Sequence, residues 1–268
     1  MIDSHCHLNR PEFVPDRPQV LAAAAAAGVG GFLNVGYDPA TSGESVALAA
    51  SDPRILATVG IHPHDAALLA APDGTPLPGA GDLLDRLQEL AAHPRTVAIG
   101  EIGLDYFRDL SPRPAQRTAL ALQLQLAVRL DLPVVLHVRD AWQEILGLVD
   151  ELGLPPRRGV LHAFAGDARA VAWAKERGFL LGIGGPVTYK NSTLPELVRQ
   201  AGPDLLLLET DAPWLPPVPH RGGRNEPAYL ALTCARVAEL LALAPAELAA
   251  RTSANFRALF GVEDGFGA

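Results

Sequence analysis

Eight short apolar runs, each followed by a stretch with helical spacing, constrain this chain more than any other feature. The runs read as strands at Ile2–His7, Gly31–Val35, Ile55–Ile61, Thr96–Ile99, Pro133–His137, Gly159–His162, Phe179–Ile183 and Leu205–Glu209. Apolar residues at helical spacing follow at Pro18–Ala27, Ser42–Ala50, Asp82–Ala92, Arg113–Leu130, Ala141–Leu152, Asp167–Arg177, Thr193–Ala201 and Glu226–Leu241. A further helix is expected at Pro245–Leu259. Strands alternating with helices imply parallel pairing. Eight such units predict a single (β/α)8 TIM barrel over residues 1–268, with an additional C-terminal helix. A doubly wound open sheet is the alternative. The length of 268 residues suits a barrel, which takes about 250. The stretch Ala71–Gly81, rich in Pro and Gly, reads as a surface loop and not as a linker between domains.

Charge and cysteine content narrow the function. The formal net charge is −8, which argues against non-specific wrapping of duplex nucleic acid, where many Lys and Arg contact phosphates. A local basic site stays open. The two cysteines, Cys6 and Cys234, form no CxxC motif, so a reducing, cytoplasmic setting is expected. The N-terminus MIDSHCHLNRPEF has neither the basic nor the apolar segment of a signal peptide, and the alanine run Ala22–Ala27 is too short to span a bilayer. No membrane association and a monomer are expected.

Reactive side chains of a barrel gather at the C-terminal ends of its strands, and this is where the histidines and carboxylates fall. His5 and His7 lie two apart on the first strand and share a face, with Cys6 turned away. His62 and His64 follow the third strand, and Glu101 follows the fourth in GEIGLDY. His137 ends the fifth, His162 ends the sixth, and Asp211 follows the eighth in LETDAPW. His93 falls at the opposite end, and His220 lies in the long loop after the eighth strand. A lone strand histidine is usually a hydrogen-bonded core residue. The six groups on strands one, four, five, six and eight, converging on one mouth, would be costly to bury without a partner, and a metal centre removes that cost. Imidazole and carboxylate suit Zn, Mn, Co or Ni, with Mg weaker at histidine-rich positions. The donors His5, His7, Glu101, His137, His162 and Asp211 can serve two divalent cations if one carboxylate, Glu101, bridges them. A carbamylated-lysine bridge is disfavoured, because the only lysines, Lys175 and Lys190, lie away from the strand ends.

The segments DSHCHL, VGIHPH, GEIGLDY, LHVRDA, LHAFAG, LETDAPWL, HRGGRNEP and SANFRALFG occur in order from the first strand to the last helix. Together they resemble the TatD family of metal-dependent deoxyribonucleases, among the amidohydrolase-like barrels. The resemblance implies His5, His7, Glu101, His137, His162 and Asp211 as metal ligands, with Glu101 shared by both ions. Some members lack the first HxH pair, and this chain has it. One departure is Ala163, where the family often has a serine; Ala163 offers no side-chain hydrogen bond.

The expected chemistry is attack of a cation-activated water on a phosphodiester, with the ions stabilising the attacking and leaving oxygens. Asp211 is the candidate base, Glu101 the shared carboxylate, and His62 and His64 the candidate donors to the phosphate or leaving group. Glu209 is a candidate to orient a ligand histidine. Arg108, Arg139, Arg221, Arg224 and Asn225 are the candidate substrate contacts, beside Tyr106, Phe107, Phe164, Tyr189 and Trp214. Arginines among aromatics suit a single-stranded groove; Asn225 and Glu226 have a helix cap as the alternative. The resemblance implies a 3′-to-5′ exonuclease on single-stranded DNA. Hydrolysis of a small ester, lactone, amide or aminoacyl bond is the alternative, ahead of a non-catalytic metal-binding protein.

Overall fold

The computed structural model describes residues 1–153 and 155–267. The chain divides into two compact units, one made of Met1–Asn34, Asp52–Ile55 and the chain from Ala163 onward, the other of Val35–Ser51 and Leu56–His162.

In the first unit β1 (Ile2–Cys6) leads through α1 (Arg17–Ala26) to β2 (Gly31–Val35). Later in the chain come α6 (Ala168–Arg177), β7 (Leu180–Ile183), α7 (Leu194–Ala201), β8 (Leu206–Leu208), α8 (Leu230–Leu241) and α9 (Pro245–Phe260). Parallel registers set Asp3 opposite Phe32 and Gly182 opposite Leu207. The segment after β8 then runs alongside β1. Cys6 bridges Ala212, the Asp211 N–H donates to the His5 carbonyl at 2.9 Å, and the His7 N–H donates to the Ala212 carbonyl at 2.9 Å. The second unit holds α2 (Pro39–Ser51), β3 (Ile55–Val59), α3 (Ala80–Ala91), β4 (Thr96–Asp105), α4 (Arg113–Leu130), β5 (Val134–Arg139), α5 (Trp142–Leu152) and β6 (Gly159–Leu161). Its registers set Gly103 opposite His137, Asp105 opposite Arg139 and Leu136 opposite Leu161.

All eight strands belong to one sheet in the order β1-β2-β3-β4-β5-β6-β7-β8. A helix follows each strand and α9 is left over, so the fold is the (β/α)8 barrel with an extra C-terminal helix. A doubly wound sheet would place β1 inside a reversing order, and the return of the post-β8 segment to β1 removes that alternative. β1 to β4, β6 and β8 are buried along their whole length. That is the signature of parallel strands covered on both faces, and it explains why they read as apolar runs without alternation. Among the described residues no single helix is long and apolar enough to cross a membrane.

The structure moves several boundaries. α4 matches its expected span, and β2 likewise. The helix expected at Glu226–Leu241 starts at Leu230 instead, after a single 3-10 turn at Pro227–Tyr229. The largest difference is β4, which continues from Ile99 to Asp105. Glycine has low strand propensity, so Gly100 and Gly103 make the run look finished. In the structure Gly103 sits at φ +152, and an added Cβ would run into the His137 carbonyl oxygen. Glycine there is what lets β4 and β5 approach while continuing the ladder. Glu101 therefore stands within a strand and not after one.

Candidate metal and active site

In the first unit a buried group forms from His5, His7 and Asp211. β1 supplies both histidines on one face, and the hydrogen bonds between β1 and the post-β8 segment bring Asp211 to them. The Asp3 carboxyl clamps that segment: it accepts from the Thr210 N–H at 2.9 Å and pairs with the Thr210 hydroxyl at 2.6 Å. Burial pushes Asp3 up to about 8, against the hydrogen bonds from Thr210 and His5. Asp211 itself has φ 57. This left-handed region costs most residues about 1 kcal/mol or more, and aspartate is one of the few that visit it routinely. The His5 and His7 Nε2 atoms lie 3.1 Å apart, and Asp211 Oδ1 is 3.4 Å from His7 Nε2 and 3.8 Å from His5 Nε2. Two ligands at about 2.05 Å from one tetrahedral ion stand about 3.3 Å apart. The spacing and the donor types therefore fit a single divalent cation.

In the second unit the Glu101 carboxylate is 4% exposed and has three imidazoles around its Oε1. His137 Nδ1 is 2.8 Å away, and His62 Nε2 and His162 Nε2 are each 3.5 Å away. His62, Glu101 and His137 have the spacing of a metal group, yet hydrogen bonding separates the two histidines. His62 Nδ1 accepts the His64 backbone N–H at 3.1 Å, and burial lowers the His62 pKa to about 4, so the ring is neutral. A neutral imidazole carries one proton, and here it must sit on Nε2. His62 is thus a donor aimed at Glu101 and not a lone-pair ligand. His137 has the opposite arrangement. Its Nε2 pairs with Asp105 Oδ2 at 3.2 Å and its Nδ1 with Glu101 Oε1 at 2.8 Å; a cation held at Glu101 would take the place of the Nδ1 proton while Asp105 keeps the one on Nε2. His162 Nε2 faces the same Glu101 oxygen, so Glu101, His137 and His162 form a candidate donor set that overlaps the His62, Glu101 and His137 group.

Asp105 is a site residue that the strand-end pattern of the sequence does not mark. It is 1% exposed. Its Oδ1 accepts the Phe107 and Arg108 N–H groups, and its Oδ2 takes His64 Nε2 at 2.8 Å as well as His137. Gln116 holds its backbone N–H and C=O. Burial pushes the Asp105 carboxyl up, but the hydrogen bonds from His137, the Arg108 N–H and His64 outweigh it and hold it well below the usual carboxylate range. Burial lowers His137, and its bonds to Asp105 and Glu101 more than reverse this. The signal that could have found Asp105 is the even spacing of Glu101, Gly103 and Asp105, which share a face once β4 continues. Asp105→Asn keeps the volume and removes the charge that orients both rings. It is expected to weaken cation binding by about 10–100-fold with the barrel still folded. A competitive titration against a chromogenic chelator checks this, and an affinity within twofold of the unaltered protein would rule it out.

The remaining expected contacts divide by how they are held. The Arg139 guanidinium lies 3.9 Å over the exposed Phe107 ring, and that of Arg221 lies 4.4 Å over Tyr189. Arg108 is exposed just beyond the end of β4. Phe164 is buried at 1% exposure and packs in the core, not at a surface groove. Arg224 is committed internally: it bonds Asp16 at 2.7 and 3.0 Å, Glu226 at 2.8 Å and the Glu12 carbonyl at 2.6 Å. Asn225 is fully buried, donates to the Thr210 and Trp214 carbonyls and accepts the Glu226 N–H. Both brace the loop after β8. Glu209, also buried, accepts the Ala163 N–H at 2.7 Å, and a Cβ on Gly182 would collide with its carboxylate. Ala163 adopts φ 43. His93 closes the turn before β4, accepting the Arg95 N–H at 3.2 Å, and His220 stacks on Tyr229 with centroids 3.8 Å apart.

A parallel (β/α)8 barrel with buried imidazole–carboxylate groups where its strands end has the fold and the donor chemistry of a metal-dependent hydrolase. The sequence profile described as TatD related DNase matches residues 2–261. The chain is 36% identical over 263 residues to the uncharacterized metal-dependent hydrolase YabD of Bacillus subtilis, covering 98% of this chain and 99% of that protein. It is 38% identical over 268 residues to the 3'-5' ssDNA/RNA exonuclease TatD of Citrobacter rodentium, covering 98% of each. The crystal structure of YJJV, a TatD homolog from Escherichia coli, superposes with a TM-score of 0.89 at 32% identity over 98% of both chains. The chain belongs to the TatD-related DNase family and is a metal-dependent hydrolase.

Proposed function

We propose that the protein is a 3′-to-5′ exonuclease on single-stranded DNA that uses two divalent cations, Zn, Mn or Mg. The observation that carries the reading is the buried group His5–His7–Asp211 together with the Glu101 carboxylate, whose Oε1 has His137 Nδ1 at 2.8 Å and His162 Nε2 at 3.5 Å. It is supported by full-length similarity to relatives named as 3'-5' ssDNA/RNA exonucleases. Glu101 as a carboxylate common to both ions is part of the proposal.

When bound, divalent cations would lower the pKa of a bound water toward about 7 and offset charge on both oxygens of an in-line displacement. The chain's own residues do the rest. Asp211 has the most accessible side chain of its group, 13% against 0% and 2% for His5 and His7, and it takes the proton of the attacking water. His62 presents its one donor, Nε2–H, beside Glu101, where it holds that carboxylate and is the candidate donor to a phosphate oxygen bound next to it. His64, held through Nε2 by Asp105 and 30% exposed, keeps its other ring edge toward the leaving group. Arg108, Arg139 and Arg221 pair with phosphates, and the aromatic rings beneath Arg139 and Arg221 limit their rotamers. Arg224 and Asn225 act by holding the loop that carries Asp211.

The test is a time course on end-labelled oligonucleotides with metal-loaded protein. Mononucleotides are expected to leave the 3′ end of single-stranded DNA, a 3′ block and a chelator should each stop release, and blunt duplex should react more slowly. Mid-strand cuts that ignore a 3′ block would reject the exonuclease reading. Turnover of a small ester or lactone with no cleavage of any nucleic acid would reassign the substrate.

A further inference from the structure

We infer that the recess lined by Tyr189, Lys190, Asn191, Ser192 and Arg221 is a phosphate subsite for the bound nucleic-acid strand, an inference that rests on the nuclease reading above. The recess holds about 270 Å3. Pockets that enclose a whole drug-sized ligand run about 300–1,000 Å3, so this one suits a single group of a larger substrate. Among the described residues no carboxylate lines it, and it brings one of the chain's two lysines beside an arginine. In a chain of net charge −8, such a site locally reverses the field that an anion meets. The Arg221 guanidinium is stacked 4.4 Å over the Tyr189 ring. Stacking holds the guanidinium plane, one N–H meets the Tyr189 hydroxyl, and the remaining N–H groups can donate the charged hydrogen bonds that phosphate accepts. Tyr189 is anchored in turn, since its hydroxyl donates to the Pro216 carbonyl at 2.9 Å. Lys190 and Asn191 are exposed at the rim.

The recess is tied to the first donor group through the loop after β8. The Trp214 N–H donates to the Asp211 carbonyl at 2.8 Å, and the Trp214 ring meets the His7 ring edge-on at 4.9 Å. Further along, the same loop closes against the β7 side, where the Val218 N–H donates to the Thr188 hydroxyl at 2.9 Å. Trp214 is 42% exposed, with the Arg10 guanidinium 5.3 Å from its ring centroid. Along one loop system the chain thus offers a donor group for the scissile phosphate, an aromatic face for a base, and a cationic recess for a further phosphate. Alternating aromatic faces and cations is how single strands are held without reading their sequence.

Because Lys175 and Lys190 are the only lysines, occupancy can be read directly by lysine acetylation and peptide mass spectrometry on the metal-loaded protein. The probe is a phosphorothioate oligothymidylate, which resists cleavage. At about ten times its dissociation constant it should slow acetylation of Lys190 about tenfold and leave Lys175, exposed on α6, unchanged. Lys190→Ala with Arg221→Ala should flatten the salt dependence of strand binding by about 0.7 for each phosphate that is no longer neutralised. Full reactivity of Lys190 with the strand bound, as read by fluorescence anisotropy, or equal protection of both lysines, would overturn the subsite. If no strand binds at all, the nuclease reading falls, and inorganic pyrophosphate decides the subsite by itself. Selective protection of Lys190 by pyrophosphate keeps the phosphate site, and absence of protection removes it.

Discussion

Glu101→Gln is expected to lower turnover on single-stranded DNA by about 10²–10³-fold or more, the scale seen when one group that stabilises developing charge is removed, while the barrel stays folded. The substitution keeps side-chain volume and removes the one carboxylate around which His62, His137 and His162 gather in the second unit. Its amide can no longer accept from His62 Nε2–H with the same strength, and it contributes no charge against a cation. The measurement is initial rate on a 3′-labelled oligonucleotide at saturating metal, with circular dichroism as the folding control. Asp211→Asn should fall similarly. His93→Ala is the counterpart at a turn before β4, where the ring only closes local backbone, and it should leave the rate near that of the unaltered protein. If His93→Ala matched Asp211→Asn in damage, the assignment of the catalytic end of the barrel would fail.

The second large effect concerns the cations themselves. Protein loaded with Zn or Mn should carry about two ions per chain, since two donor sets each offer three ligands and ions of this kind need about four. His5→Ala together with His7→Ala strips two of the three donors from one set and leaves Asp211 alone there, with Glu101, His137 and His162 untouched. The count should then fall toward one, as read by elemental analysis after dialysis or by native mass spectrometry. Saturation of the unaltered protein at one ion would exclude the two-cation assignment. A count that stays at two in the double variant would mean that His5 and His7 are not ligands.

Much of this architecture is legible in the residues. Eight apolar runs, each followed by a helical stretch, leave few arrangements open, and the HxH pair on β1 places both rings on one face by strand geometry alone. His5, His7, Glu101, His137, His162 and Asp211 all stand out as site candidates from residue type and position at strand ends. The misses share a cause. Two glycines disguise the second half of β4, so its last residue, Asp105, goes unmarked even though it grips two histidines. Arg224 and Asn225 look like substrate contacts because they lie in a loop after a strand, and position along the chain does not say whether a donor already has partners. Arg224 bonds Asp16 and Glu12, about two hundred residues away in the chain.

What the sequence determined by itself is therefore periodic and chemical: which stretches are strands or helices, which order of pairing they favour, and which residue types stand where strands end. These follow from local backbone geometry and from the fixed donor capacity of each side chain. What only the tertiary structure decided is relational. Whether His62 is a ligand or a donor depends on the His64 N–H that occupies its Nδ1. Whether His137 offers Nδ1 depends on Asp105 facing Nε2, and Asp105 depends on Gln116 and on a glycine that lets two strands close. An imidazole has two nitrogens and one proton, so its role is set by whichever neighbour takes the first of them, and neighbours of that kind are chosen by packing.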